Sequence, residues 1–250
     1  MSKSIHRIFV LAKRNFKEII RDPLSLIFMG LMPLVLLVLF YYLFHSLTPQ
    51  FNIQYLVPAI VSFSQSFLSL FIGILIANDR ATSFLTRLYV TETKSYEFIF
   101  GYILSLIPII FIQSTLFFVI GGIINSSFWS VNIIYGILGS MITSFLFIGF
   151  GILFGSICNI KSIGGVSSII ICGQSILSGM WFPLEGIPQE MIVAMNVLPF
   201  RNASTFIQSI VNGSNNLFDD VILPLIIILI YTAIIYLLAI FIFKKKMKSQ

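Results

Sequence analysis

The side chains able to do chemistry are few in this sequence, and their spacing supports no reaction. Two histidines occur, His6 in a polar lead and His45 at the end of an apolar run. A helical zinc protease needs paired histidine ligands, and a serine nucleophile needs a base within reach. Neither requirement is met, so Ser178-Gly179 reads as a turn or packing element rather than a nucleophile site. Cys158 and Cys172 lie in or beside apolar runs. They make neither a disulfide framework nor a four-ligand zinc set, and read as small packing residues. Gly164-Gly165-Val166-Ser167 is glycine-rich but lacks the lysine of a phosphate loop. If nucleotide drives this protein, another polypeptide binds it. No catalytic, cofactor-binding or metal residue is expected on this chain.

The elements that hold these residues are set by hydropathy. The 250 residues are 58% hydrophobic and 10% charged, with a mean hydropathy of +1.01, where soluble domains carry about 25% charge. Six uncharged runs, at about 24–44, 53–77, 98–120, 131–157, 163–182 and 221–243, are each long enough for a hydrocarbon core of about 30 Å. Only helices or closed barrels satisfy the backbone in lipid, and the runs are too continuous for alternating strands. The expected fold is all-α and integral to the membrane, with six transmembrane helices. The 15 basic and nine acidic residues fall outside the runs, which argues against an intramembrane proton or ion relay.

The basic residues orient the chain. Lys3, Arg7, Lys13, Arg14, Lys17 and Arg21 precede the first run; Arg80, Arg87 and Lys94 follow the second; Lys161 follows the fourth; Lys244, Lys245, Lys246 and Lys248 close the chain. The opposite side has only Arg201. The positive-inside rule puts both termini in the cytoplasm. Because the charge sits in these short flanks, it reads as a lipid-headgroup and topology signal, with no nucleic-acid partner. The polar lead and the length of the first run argue against a cleavable signal peptide. Residues 1–22 read as a basic amphipathic helix at the cytoplasmic interface, and 23–250 as the six-span domain. Residues 183–220 form the sizeable outer segment, punctuated by Pro183, Pro188 and Pro199. Within it, 186–198 is weakly amphipathic and is expected to dip into the outer leaflet or pack on the bundle. Glu185, Glu190, Asp219 and Asp220 read as its solvated charges.

Two runs carry polar stripes. Ser62, Ser66, Ser69 and Gly73 share one helix face with Gln65 beside it, and Ser168, Cys172, Ser175 and Gly179 repeat the pattern near Gln174. Gly136, Ser140 and Thr143 share a face of the fourth run, which also has a Gly151–Gly155 step. Such stripes serve either as helix-packing surfaces with interhelical hydrogen bonds or as a weakly polar lining for a translocation path. Both readings stay open on the residues alone.

The organisation resembles the ABC type 2 permeases, the membrane subunits of ABC exporters. Arg21-Asp22-Pro23 with Pro33 resembles the family's approach to its first span. Asp79-Arg80-Ala81-Thr82-Ser83-Phe84-Leu85-Thr86-Arg87-Leu88, with Gly101 beyond, resembles the element after its second span. Ser178-Gly179-Met180-Trp181-Phe182-Pro183, then Ile187-Pro188 and Leu198-Pro199, resemble its outer re-entrant region between spans five and six. Ser83 and Glu92 depart from the glycine and proline many relatives have there. The resemblance implies two permease copies, as a homodimer or a paralogous heterodimer, in a bacterial plasma membrane. It also implies a separate ABC ATP-binding subunit that holds ATP and Mg. A short helix over 79–91, with Asp79, Arg80, Thr82, Phe84, Arg87, Leu88 and Thr91, would be the coupling element that docks to that subunit. Outward movement of a drug, antibiotic peptide or lipid-like molecule is the expected activity. An ATP-independent channel or scaffold, or export of a lipid-linked polysaccharide, is the alternative.

Overall fold

The computed structural model describes residues 2–82, 94–183, 186–214 and 216–248, and among them every regular element is helical. Six helices are long and apolar enough to cross a membrane. In chain order they are α2 (Pro23–Phe44), α3 (Ile53–Ala81), α4 (Ser95–Ile124), α5 (Asn132–Ile157), α6 (Ile160–Leu177) and α9, which starts as a π-turn at Phe218–Ile222 and continues through Leu223–Lys248. Three more do not qualify as spans: α1 (Ser2–Ile20), α7 (Gln189–Val197) and α8 (Pro199–Asn212).

α3 is the axis of the bundle. Every residue from Leu56 to Ser69 on it is buried, and α2, α4, α5, α6 and α8 all pack on it. The closest approach is to α5. A Cβ added at Gly151 would lie 1.9 Å from Ile72 Cγ2 and 2.8 Å from the Ser69 carbonyl, and one at Gly155 would lie 2.9 Å from the Gly73 carbonyl. Small residues here let two backbones meet, which is how helices associate where no hydrophobic effect separates protein from lipid.

At Pro33 and Pro58 amide side chains from neighbouring helices repair the backbone. Pro33 has no N–H to offer the carbonyl four residues earlier, and the preceding turn, Ile27–Leu31, is π-helical. That carbonyl, of Met29, accepts instead from Gln113 Nε2 of α4 at 2.9 Å. Pro58 similarly frees the Gln54 carbonyl, which accepts from Asn212 Nδ2 of α8 at 3.0 Å. In lipid an unpaired carbonyl costs several kcal/mol, so the two amides fix which helices pair at these positions.

Two helix ends differ from the hydropathy reading. α6 stops at Leu177 rather than 182, and Gly179 (φ 71°) makes the turn that ends it. A left-handed backbone at this position suits glycine. α3 runs on to Ala81, so Asp79 and Arg80 belong to the second span's helix and not to a separate loop helix. The remaining coupling positions, Phe84, Arg87, Leu88 and Thr91, lie outside the described residues.

Candidate coupling and path surfaces

At one end of the bundle α1 lies across α4 and the end of α3. A Cβ on Gly101 would sit 2.8 Å from Leu11 Cβ, so the two helices nearly touch. Leu11, Ala12, Asn15 and Ile19 are buried on that face. The charged rim then locks the helix in place. Arg14 donates to both oxygens of Asp79, at 2.7 and 2.6 Å, and Tyr102 Oη donates to Asp79 Oδ2 at 2.7 Å. Asp79 is 1% exposed. Burial works against the Arg14 charge, but the hydrogen bond and attraction of Asp79 outweigh it and hold that pKa above the usual arginine value. Glu18, also 2.7 Å from Arg14, is pushed up by burial, with Arg14 acting in the opposite direction. Seven residues before this cluster, Arg7 lies 3.6 Å from Glu97, whose carboxylate also accepts from the Lys94 amide and from Ser4 Oγ.

Arg80 turns inward as well. Its Nη1 donates to the carbonyls of Gly155 and Cys158, at 2.9 and 3.0 Å, at the C-terminal end of α5. A cation there complements the helix dipole and satisfies carbonyls the helix leaves open. Thr82 Oγ1 closes the end of α3 on the Asn78 carbonyl at 2.9 Å. Asp79 and Arg80, both expected on the coupling element, have their side chains engaged with the bundle itself. The physical reason is that a buried carboxylate and a part-buried guanidinium need partners, which neighbouring helices supply.

The two polar stripes do not meet. Ser62, Gln65, Ser66 and Ser69 are fully buried among α3's neighbours. Gln65 Nε2 donates to the Ser140 carbonyl at 2.6 Å and its Oε1 accepts from Thr143 Oγ1 at 2.7 Å, so its amide is used at both ends. Ser66 and Ser69 return their hydroxyls to carbonyls of their own helix. Within a single chain this stripe glues helices together. On α6 the inward positions are Ser167, which donates to the Ser69 carbonyl at 3.4 Å, and Gln174, which donates to Ser62 Oγ and Ser204 Oγ at 2.9 and 3.0 Å. Ser168 and Cys172 instead face out and are exposed, as are Gly165 and Ile169, while half-buried Ser175 accepts from Trp181 Nε1 at 2.6 Å.

At the far end, Ser178 Oγ accepts from the Met180 amide and the Phe182 carbonyl accepts from Gln50 Nε2. Trp181 packs its ring on Phe40 and Phe63, with centroids at 4.7 and 5.8 Å. Pro183 is exposed, Pro188 precedes α7, and buried Pro199 starts α8. The helix that packs deepest is α8 and not the stretch 186–198: α7 buries only Met195 among its nine residues, whereas α8 buries Phe200, Ala203, Phe206, Ile207 and Val211. The strongly one-sided pattern of 199–212 was the available signal for this. Arg14, Glu97, Tyr102 and Ser204 were also missed as site residues, because nothing in their local sequence names their distant partners.

Six membrane-length helices and a polar rim at one end define a multi-pass membrane protein. The family model for the ABC-2 type transporter matches residues 6–212, so the chain belongs to that family. It is the permease domain of an ABC transporter, a transport component and not a catalytic one. No curated protein matches it closely enough to narrow this further.

Proposed function

We propose that the chain is the membrane half of an ATP-driven exporter. A separate ATP-binding subunit, with its ATP and Mg, docks at the end of the bundle that carries α1. The observation that carries this reading is the Arg14–Asp79–Tyr102 cluster, which ties α1, α3 and α4 into one unit near the end of α3. A push on any of these elements from the cytoplasmic side is then delivered to two spans at once, as rigid-body coupling requires. Both termini are cytoplasmic in this reading, following the charge asymmetry of the loops, and the membrane is a bacterial plasma membrane.

The path itself is proposed to form between two copies. The outward face of α6 supports this: Gly165, Ser168 and Cys172 are exposed, and an added Cβ at Gly164 or Gly165 meets nothing within 4 Å. Small and weakly polar residues suit a helix seam better than open lipid. A drug, an antibiotic peptide or a lipid-like molecule fits a bundle this apolar. Co-purification with an ATPase, followed by substrate-stimulated hydrolysis in vesicles, tests the reading. A chain that moves solute in vesicles with no ATPase present would instead support an ATP-independent channel.

A further inference from the structure

The sequence places every charge outside the apolar runs, yet the fold carries one cation into the middle of the bundle. α8 runs antiparallel to α3, and three side chains fix its register. Asn212 Nδ2 donates to the Gln54 carbonyl, Gln208 Nε2 donates to the Tyr55 carbonyl, and Ser204 Oγ is joined through Gln174 to Ser62. Ser62 lies nine residues into α3 and Arg201 three residues beyond Ser204, toward the middle of the bundle. At 1.5 Å per residue, Arg201 sits about 18 Å along a helix about 43 Å long. Phe200, beside it, confirms the depth: its ring stacks on Phe150 of α5 at 6.4 Å and would touch a Cβ on Gly173 at 3.1 Å.

Arg201 is half-buried at this depth. Its Nη1 is buried with no hydrogen-bond acceptor among the described residues. It occupies the first turn of α8, whose preceding residue, Leu198, provides no side-chain cap. The first turn of a helix is an electropositive end, and side chains there lean toward it. Two unanswered positive features therefore coincide in an apolar setting. Arginines within a membrane bundle mark sites of function and take partners.

We infer that Arg201 is an anion-binding centre, completed by the phosphate or carboxylate of an amphipathic molecule. The amphipathic requirement follows from the approach. α7 ends at Val197, just before this turn, and presents Met191, Val193 and Val197 as exposed apolar residues. A molecule that reaches the guanidinium along this face keeps a hydrocarbon portion against α7. The site stands on the geometry of one chain and needs no ATP-binding subunit, so it goes beyond the exporter reading.

The test uses the full chain in nanodiscs of digalactosyldiacylglycerol, whose headgroup carries no phosphate, and without an ATPase, so that its failure leaves the exporter reading untouched. One arm titrates dodecyl phosphate, with dodecyl maltoside as the neutral control, and follows the melting midpoint. The other replaces part of the lipid with phosphatidylglycerol and reads lipid retention by native mass spectrometry. Wild type is expected to be stabilised by at least one anion, at least tenfold more weakly in Arg201→Gln and within about threefold of wild type in Arg201→Lys. Without anion, Arg201→Gln should melt higher than wild type, because it removes an unanswered charge. Dependence on phosphatidylglycerol alone identifies a resident lipid headgroup, and dependence on dodecyl phosphate alone identifies a free amphipathic anion; either supports the site. Equal binding of both probes by Arg201→Gln overturns it. If Arg201→Gln does not fold, the wild-type titration decides, and the absence of stabilisation by either anion overturns the site.

Discussion

Replacing Asp79 by Ala should detach α1 while leaving the spans assembled. The magnitude follows from what the side chain holds. Removing one partner of a fully buried pair costs about 3–5 kcal/mol, but the Arg14 side chain is 33% exposed and can hydrate once released, which calls for a discount toward surface-pair values. Tyr102 Oη loses its bond to the Asp79 carboxylate, a hydrogen bond to a charged group worth about 1.5–3 kcal/mol. A loss of about 2–3 kcal/mol localised to α1 is the outcome. By the equivalence of 1.4 kcal/mol to tenfold, α1 opens about 30- to 140-fold more often. Hydrogen exchange of the chain in nanodiscs reads this directly: amides across Ser2–Ile20 should exchange faster by that factor, while those in the middle of α3 and α5 change little. Arg14→Met combined with Asp79→Ala should be sub-additive, since both remove the same contact. Unchanged α1 exchange in Asp79→Ala would refute the clamp, and uniform acceleration over the whole chain would show that Asp79 supports the bundle globally instead.

Gly151→Leu should part α3 from α5, because even a Cβ there meets Ile72 at 1.9 Å; overpacking of this kind costs about 1–3 kcal/mol or more, read as a lower melting midpoint in detergent. Gln113→Leu leaves the Met29 carbonyl without its donor, at about 1–3 kcal/mol, and spin labels on α2 and α4 should report a broader distance distribution; an unchanged distribution would mean the π-turn holds by itself. In a Cys158→Ser background, mild oxidation should trap a Cys172–Cys172 dimer if the exposed α6 face is the seam between copies, and recovery of monomer only, alongside an independently demonstrated dimer, would place the seam elsewhere.

The charged rim and the polar interior separate two roles that the sequence leaves mixed. Gln65, Thr143 and Ser140 hold α3 to α5, and Gln174 holds α6 to α3 and α8. These bonds make one chain a closed unit. The exposed side of α6 is where that closure ends.

The six spans were legible in the residues because lipid offers no hydrogen bonds: an apolar run of that length has to close its own backbone as a helix. The family could be read from the same patterns together with short motifs such as Ser178-Gly179. Contacts between distant helices were not legible. Residue 14 meets residue 79, and residue 113 meets residue 29, only after helices dock, and local sequence holds no record of such docking. Helical periodicity put Ser168 and Cys172 on one face but left undecided whether that face turns in or out; packing turned it out. Arg201 is the clearest case. By sequence it is the lone basic residue of a segment between spans, and only the antiparallel seating of α8 on α3 carries it to mid-bundle, where low dielectric makes a buried Nη1 with no acceptor among the described residues costly and therefore informative.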